Sequence, residues 1–205
     1  MKHARHRWAA ALAAPVLLVG VGLAWAAPAS AAVTITDLGT FGGRVADAAG
    51  INASGQVTGA AGFADDDTIH AFLWTAANGM RDLGTLGGPY SFAVAINASG
   101  QVIGQSLTAD WKSHAFLWTP AGGMRDLGTL GGSECSVRAI NASGQVVGSS
   151  RTADGNVHAF RWTATGGMRD LGALPGSNDS EAYGINAAGQ VIGESSPAYG
   201  ECHAF

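Results

Sequence analysis

The sequence predicts an all-β fold of tandem four-stranded antiparallel repeats, β-propeller-like in arrangement. Three observations lead there. Near-identical motifs recur at a spacing of 44–45 residues: Asn52, Asn97, Asn141 and Asn186 each open N-A-[SA]-G-Q-V-x-G, and His70, His114, His158 and His203 each open H-A-F. Asp37, Asp82, Asp126 and Asp170 each sit in D-L-G. Such a period marks supersecondary units that bury their apolar faces only against neighbours. No copy holds an unbroken window of helical periodicity, and Gly falls every few residues. Each unit instead holds four short runs separated by Gly- and Pro-containing breakers, the content of one propeller blade.

The second copy justifies each element. Residues 81–86 (RDLGTL) form strand a, ended by Gly87-Gly88-Pro89. Residues 92–97 (FAVAIN) alternate as strand b and run through Ala98-Ser99-Gly100 into strand c, residues 101–105 (QVIGQ). Asn before and Gly after two small residues suits a type I turn with a left-handed Gly closing a hairpin. A polar loop, residues 106–113, leads to strand d, residues 114–119 (HAFLWT), rich in strand-favouring aromatics. The tight b–c and d–a connections order each sheet b, c, d, a, and the Gly-rich a–b segment steps to the next sheet. Repeat boundaries fall near residues 35–79, 80–123, 124–167 and 168–205.

Both ends of this pattern carry expectations. Residues 1–31 place Lys2, Arg5 and Arg7 before an apolar, Ala-rich run and the small residues Ala29-Ser30-Ala31, the order of a secretory signal peptide. The repeat domain is then residues 32–205, secreted or extracellular, with no membrane attachment after the signal is removed. Residues 33–38 (VTITDL) read as an a strand, and the chain's last run, His203-Ala204-Phe205, is a d strand without L-W-T. Pairing of those two would close a four-bladed ring and leave no sheet edge open. The rival is a fragment of a larger propeller.

The formal net charge is −4, and removal of the leader's three basic residues makes the remainder more acidic. That excludes an electrostatic footprint for nucleic acid. Cys135 and Cys202 lie in different repeats, and spacing leaves a bridge between them open. Asn52, Asn97 and Asn141 fall in N-x-S sequons, but Asn186-Ala187-Ala188 keeps the turn without the sequon, so the turn is what recurs.

The recurring residues read as structure. His70, His114, His158 and His203 would converge on a metal only if they lined a common axis. The plainer reading is a half-buried His bonded within its own blade, and no cofactor or metal is expected. Phe72, Phe116 and Phe160 with Trp74, Trp118 and Trp162 read as packing between blades. Leu73 and Leu117 become Arg161 on the opposite face, which that substitution marks as wetter. G-T-L-G-G lacks the Lys-Ser/Thr of a phosphate loop.

The run HAFLWTPAGGMRDLGTLGG with AINASGQVVG resembles the extracellular repeats of the HAF family, over residues 35–205. The resemblance implies an exported protein and supplies no catalytic residues. Pro175 in place of a Gly and the short final H-A-F copy depart from its pattern.

Function on rigid repeats sits in variable loops. The copies differ most at residues 62–68, 107–113, 152–157 and 195–201. Trp111 and Lys112, with Asp110, form the most contact-like set. The expectation is a non-catalytic scaffold binding an unidentified ligand, glycan or protein. The alternative, an extracellular polysaccharide hydrolase or lyase, would need a carboxylate pair, for which Asp65–Asp67 with Asp110 are the candidates.

Overall fold

The computed structural model describes residues 33–65, 67–197 and 200–205. The expected signal peptide, residues 1–31, and Asp66 of the acidic triplet lie outside the described residues.

Alternation of short apolar runs with turns produces fifteen strands among the described residues. The first sheet holds β1 (Gly42–Ile51), β2 (Val57–Phe63), β3 (Ile69–Thr75) and β4 (Gly79–Asp82). The second holds β5 (Gly87–Ile96), β6 (Val102–Thr108), β7 (Ser113–Thr119) and β8 (Gly123–Asp126). The third holds β9 (Gly131–Ile140), β10 (Val146–Thr152), β11 (Val157–Thr163) and β12 (Gly167–Gly172). The fourth holds β13 (Asp179–Ile185), β14 (Val191–Ser196) and β15 (His203–Ala204). The first three sheets run b, c, d, a antiparallel, as the turn chemistry predicts, and the fourth runs b, c, d with no strand a among the described residues. No described helix is long and apolar enough to cross a membrane.

The registers sort the connections to two ends. Gly87 lies opposite Thr108, and Leu107 opposite Ser113, so the c–d loop and the a–b crossover share one end of the sheet. The N-A-S-G and d–a turns share the other. Strand b carries a bulge between Ala93 and Ala95, repeated between β10 and β9 beside Gly148. A Cβ on Gly148 would be driven into the Ser136 carbonyl, so the glycine of Q-V-x-G lets the bulged strand approach.

Neighbouring sheets stack face to face. Phe116 and Trp118 of β7 pack with Ala71, Leu73 and Leu83 of the first repeat. From the other face of the second sheet, Ile103, Ala115 and Leu117 meet Phe160 and Trp162 of the third. A smaller cluster of Val147, Ala159 and Ala182, flanked by Phe205, joins the third to the fourth. Each repeat thus sets its Phe/Trp face into the Ala/Leu face of the repeat before it. Burial of each large side chain stabilises by about 1.5–3 kcal/mol.

Two expectations are corrected here. The face carrying Leu73 and Leu117 is not wet: both leucines are buried, because that face packs against the Phe/Trp face of the next repeat. Residues 33–38 form no strand, Val33 and Ile35 are exposed, and β15 pairs only with β14. Among the described residues, no strand of the first repeat pairs with one of the fourth. An apolar alternating run makes a strand only where an edge with matching register is available.

The third junction also differs. Single parallel bridges, Ile69 to Tyr90 and Ser113 to Glu134, link the earlier sheets. After Pro175-Gly176 no such bridge links β11 to β13, and the Asp179 carboxylate instead accepts the Val157 N–H at 2.8 Å. The crossover is one residue longer here, with Ser180 eight residues beyond Gly172 where Ser91 is seven beyond Gly84, and a side chain supplies the contact.

Candidate functional site

The recurring polar residues are occupied by the fold. His70, His114 and His158 each set Nδ1 at 2.8–2.9 Å from Asp82, Asp126 and Asp170, joining H-A-F to D-L-G across the d–a hairpin. The same aspartates accept the N–H of Gly84, Gly128 and Gly172 at 2.7 Å. His203, in a sheet without a described strand a, is exposed. No cluster of three or more His, Cys, Asp or Glu with metal-binding geometry occurs among the described residues.

Asn97 Oδ1 accepts the N–H groups of Ser99 and Gln101, while its amide donates to Gln101 Oε1 and to the Asn141 carbonyl. Asn52 and Asn141 repeat the arrangement, donating to the carbonyls of Asn97 and Asn186. The sequon asparagines are thus rungs of a ladder running through all four repeats.

Serines staple the sheets at the other end. Ser91 donates to the Gly84 carbonyl and accepts the Ala71 N–H, and Ser180 does the same with Gly172 and Ala159. Cys135 takes this position in the third repeat, where burial pushes its thiol up to about 12. Cys202 is exposed, and both cysteines are free. Sequence reading missed these staples because serine recurs at many exposed turn positions too.

Against this saturated frame, the c–d loop of the second repeat stands apart. Thr108 N–H donates to the Lys112 carbonyl and Trp111 N–H to the Thr108 carbonyl, closing a tight turn. The Thr108 hydroxyl donates to the Asp110 carboxylate, and Lys112 Nζ lies 2.8 Å from Asp110 Oδ2. These partners, led by Lys112, hold the Asp110 carboxyl down at about 2. Trp111 is 68 % exposed and sits at φ 63°, the only described non-glycine residue at positive φ. The third repeat makes the same turn between Thr152 and Asn156 with Gly155, φ 94°, at this position. A left-handed conformation costs an L-residue about 1–2 kcal/mol that glycine avoids.

Asp65 caps its own loop, accepting the N–H groups of Asp67 and Thr68 and the Thr68 hydroxyl, which lower its carboxyl from the ordinary value. Asp154 is lowered similarly by Thr152. Carboxylates stabilised as anions in this way are turn caps, opposite in tuning to a general acid.

A cleft of about 330 Å³ opens at the c–d end, lined by Gln105, Ser113, Glu134, Ser136, Arg151 and Glu181 of three successive repeats. Ser113 adjoins Lys112 in the chain. Gln105 Nε2 donates to Ser136 Oγ at 2.6 Å, and Arg151 lies 3.6 Å from Glu134. Gln105 and Ser113 also line a smaller recess with Tyr90 and Phe92, whose rings lie 6.4 Å apart. Sequence reading sought variability in loops and passed over these strand positions. The signal was there: Asp47, Phe92, Ser136 and Glu181 occupy one repeat position with four different chemistries. Comparison with protein-family models returns no match for this chain, and comparison with curated proteins returns none at a significant level.

Proposed function

We propose that this chain is an exported, non-catalytic β-repeat scaffold that binds a glycan through the c–d end of its sheets, with Trp111 as the contact residue. The observation that carries the reading is Trp111 itself. A large aromatic held in a left-handed turn, exposed, where an equivalent turn uses Gly155, is strained without any packing return. Such strain concentrates at ligand contacts. Lys112 and Asp110 fix the turn, and the adjoining cleft offers hydroxyl, amide, carboxylate and guanidinium groups beside Tyr90 and Phe92. Aromatic platforms next to mixed hydrogen-bonding groups suit sugar rings, which present apolar faces and hydroxyl edges.

The head-to-tail face packing supports a propeller-like arrangement of the blades, as the repeat period and the resemblance to HAF repeats imply. The same resemblance, with the leader pattern of residues 1–31, supports export. No described residue pair favours the hydrolase alternative, since Asp110 and Asp65 are tuned as anions.

The test is retention of purified residues 32–205 on insoluble polysaccharides and soluble glycans, with release of reducing ends measured in parallel. Binding without turnover, lowered at least tenfold (about 1.4 kcal/mol) by Trp111→Ala, is the expected result. Turnover abolished by Asp110→Asn would establish the hydrolase instead. Retention by a protein partner and by no glycan would replace the ligand class.

A further inference from the structure

The recess of the second repeat and the cleft of the third are one feature in successive repeats. Tyr90, Phe92, Gln105 and Leu107 line the recess, and Glu134, Ser136, Ser149 and Arg151 hold the same repeat positions in the cleft. The pairing is the same in both: Phe92 lies opposite Gln105, and Ser136 opposite Ser149. Yet the recess has a volume of about 80 Å³ and the cleft about 330 Å³. Serine at the positions of Phe92 and Gln105 removes the side chains that fill the recess, so substitution on a kept backbone opens the cleft. The third repeat has a described neighbour on each side, and no residue beyond Glu181 lines the cleft.

The polar groups of the cleft are only partly used by the fold. Ser149 is 7 % exposed, and its hydroxyl bonds to no described residue. Every fully buried side-chain N or O among the described residues has a partner, so the Ser149 hydroxyl opens into the cleft that it lines. Gln105 of the second repeat reaches across to Ser136, but no such bond joins Ser149 to Glu181, which holds the Ser136 position of the fourth repeat. Ser136 accepts from Gln105 and keeps its own proton to donate. Glu134 and Arg151 stand 3.6 Å apart, as do Glu181 and Arg138, too far for a hydrogen bond within either pair. Each carboxylate is matched by a guanidinium, so the two pairs balance.

We propose that this cleft is a sugar-ring subsite and that it selects an uncharged sugar unit. The inference rests on the glycan reading, and adds where a ring sits and which glycans qualify. Vicinal hydroxyls can donate to the Glu134 carboxylate and accept from Arg151 together, filling the gap that the pair leaves. The Ser149 and Ser136 hydroxyls meet further ring hydroxyls, and Val157 offers an apolar wall. The volume lies near the lower end of small-ligand sites, about 300 Å³. That suits one ring with its hydroxyls and leaves Trp111 for the chain outside it. A uronate or sulfate would set its charge against Glu134 and Glu181, and an amino sugar its charge against Arg151. Either breaks a pair that a neutral ring leaves intact.

The probes are cellohexaose, laminarihexaose, mannohexaose, hexagalacturonate and the glucosamine hexamer, each titrated calorimetrically into the purified protein. At least one neutral hexasaccharide should bind, and both charged ones should bind weaker by about tenfold or more. Ser149→Gln installs the residue that fills the recess of the second repeat. It should lower neutral-sugar affinity by about tenfold or more and leave the urea midpoint unchanged. Ser149→Ala removes only the hydroxyl and should weaken binding by a smaller factor, again with the midpoint held. Neutral binding that Trp111→Ala lowers and both Ser149 variants leave unchanged would overturn the subsite while keeping the glycan reading. Tighter binding of hexagalacturonate or of the glucosamine hexamer would overturn the selection for uncharged sugar. Absence of binding by all five at about 1 mM would overturn the subsite together with the glycan reading.

Discussion

The side-chain amide of Asn97 donates to the backbone carbonyl of Asn141, 44 residues away, at 3.1 Å. One side chain thereby closes its own b–c turn and ties it to the next repeat. Asn141→Ala would strand the part-buried Ser143 and Gln145 N–H groups and leave the Asn186 carbonyl with the Gly189 N–H alone. Each uncompensated buried group costs about 1–3 kcal/mol, so a loss of about 2–4 kcal/mol is expected. Asn186 is exposed, and its amide donates only within its own turn. Asn186→Ala should cost clearly less in the same urea titration.

Interior sheets are covered on both faces, which makes Leu117 as buried as Trp118. Leu117→Arg should destabilise by about 3 kcal/mol or more, since it buries an unpaired charge against Phe160 and Trp162. Arg161, the equivalent residue, stands beside the partly open third junction and reaches the Gly189 carbonyl. Trp118→Ala should cost about 3–5 kcal/mol, and Trp74→Ala less, because Trp74 lies on the first repeat's half-covered face. Denaturant midpoints of the three variants check this ordering.

Gly148→Ala should be among the most damaging small changes in the chain. Its Cβ would collide with the Ser136 carbonyl, and backbone cannot move aside as a flexible side chain can. Overpacking of this kind costs about 1–3 kcal/mol and more where backbone must shift. Loss of a folded product, or a urea midpoint lowered on that scale, is the expected readout.

Cys135 and Cys202 should separate cleanly in thiol chemistry. The thiolate is the reactive species, and burial pushes the Cys135 thiol up to about 12. At pH 8 the native protein should alkylate at exposed Cys202 alone, and at both residues in denaturant. Intact-mass spectrometry counts the adducts. Two adducts on the native protein would contradict the packing at the second junction.

Asp110 sets the acid limit of the Trp111 turn. Its folded-state carboxyl is depressed to about 2 from 3.8, so the stabilisation it gives is present above the unfolded value and disappears as pH falls through the folded one. The Trp111 and Lys112 amide shifts should therefore hold down to about pH 3 and change below it. Asp110→Asn should remove that transition.

Strand order was legible in the sequence because turn chemistry is local: Asn-Ala-Ser-Gly and Ala-Gly-Gly-Met dictate which strands are hairpin partners. The sequence keeps the histidines within their own blades because a shared metal would need them to converge on one axis, but it does not name their partner, the D-L-G aspartate across the d–a hairpin. What failed was nonlocal. Arg161 in place of Leu117 suggested a wet face, but Arg161 reports on the third junction alone, while Leu73 and Leu117 face complete neighbours. The strand expected at residues 33–38 has the right alternation, yet strand formation depends on an edge elsewhere. The Trp111 turn was legible only in part. Its composition stood out from the copies, whereas its left-handed backbone required the turn shared with Gly155 to be seen.

The central claim is that Trp111 serves a ligand and contributes nothing to the fold, so the decisive variant is Trp111→Gly, which restores the residue of the equivalent third-repeat turn. Urea denaturation and retention on the bound glycan are measured on the same preparation. The account predicts an unchanged or higher midpoint, by up to about 1 kcal/mol from relieved strain, together with lost retention. A lowered midpoint with retention intact would contradict it, and would make Trp111 a structural residue after all.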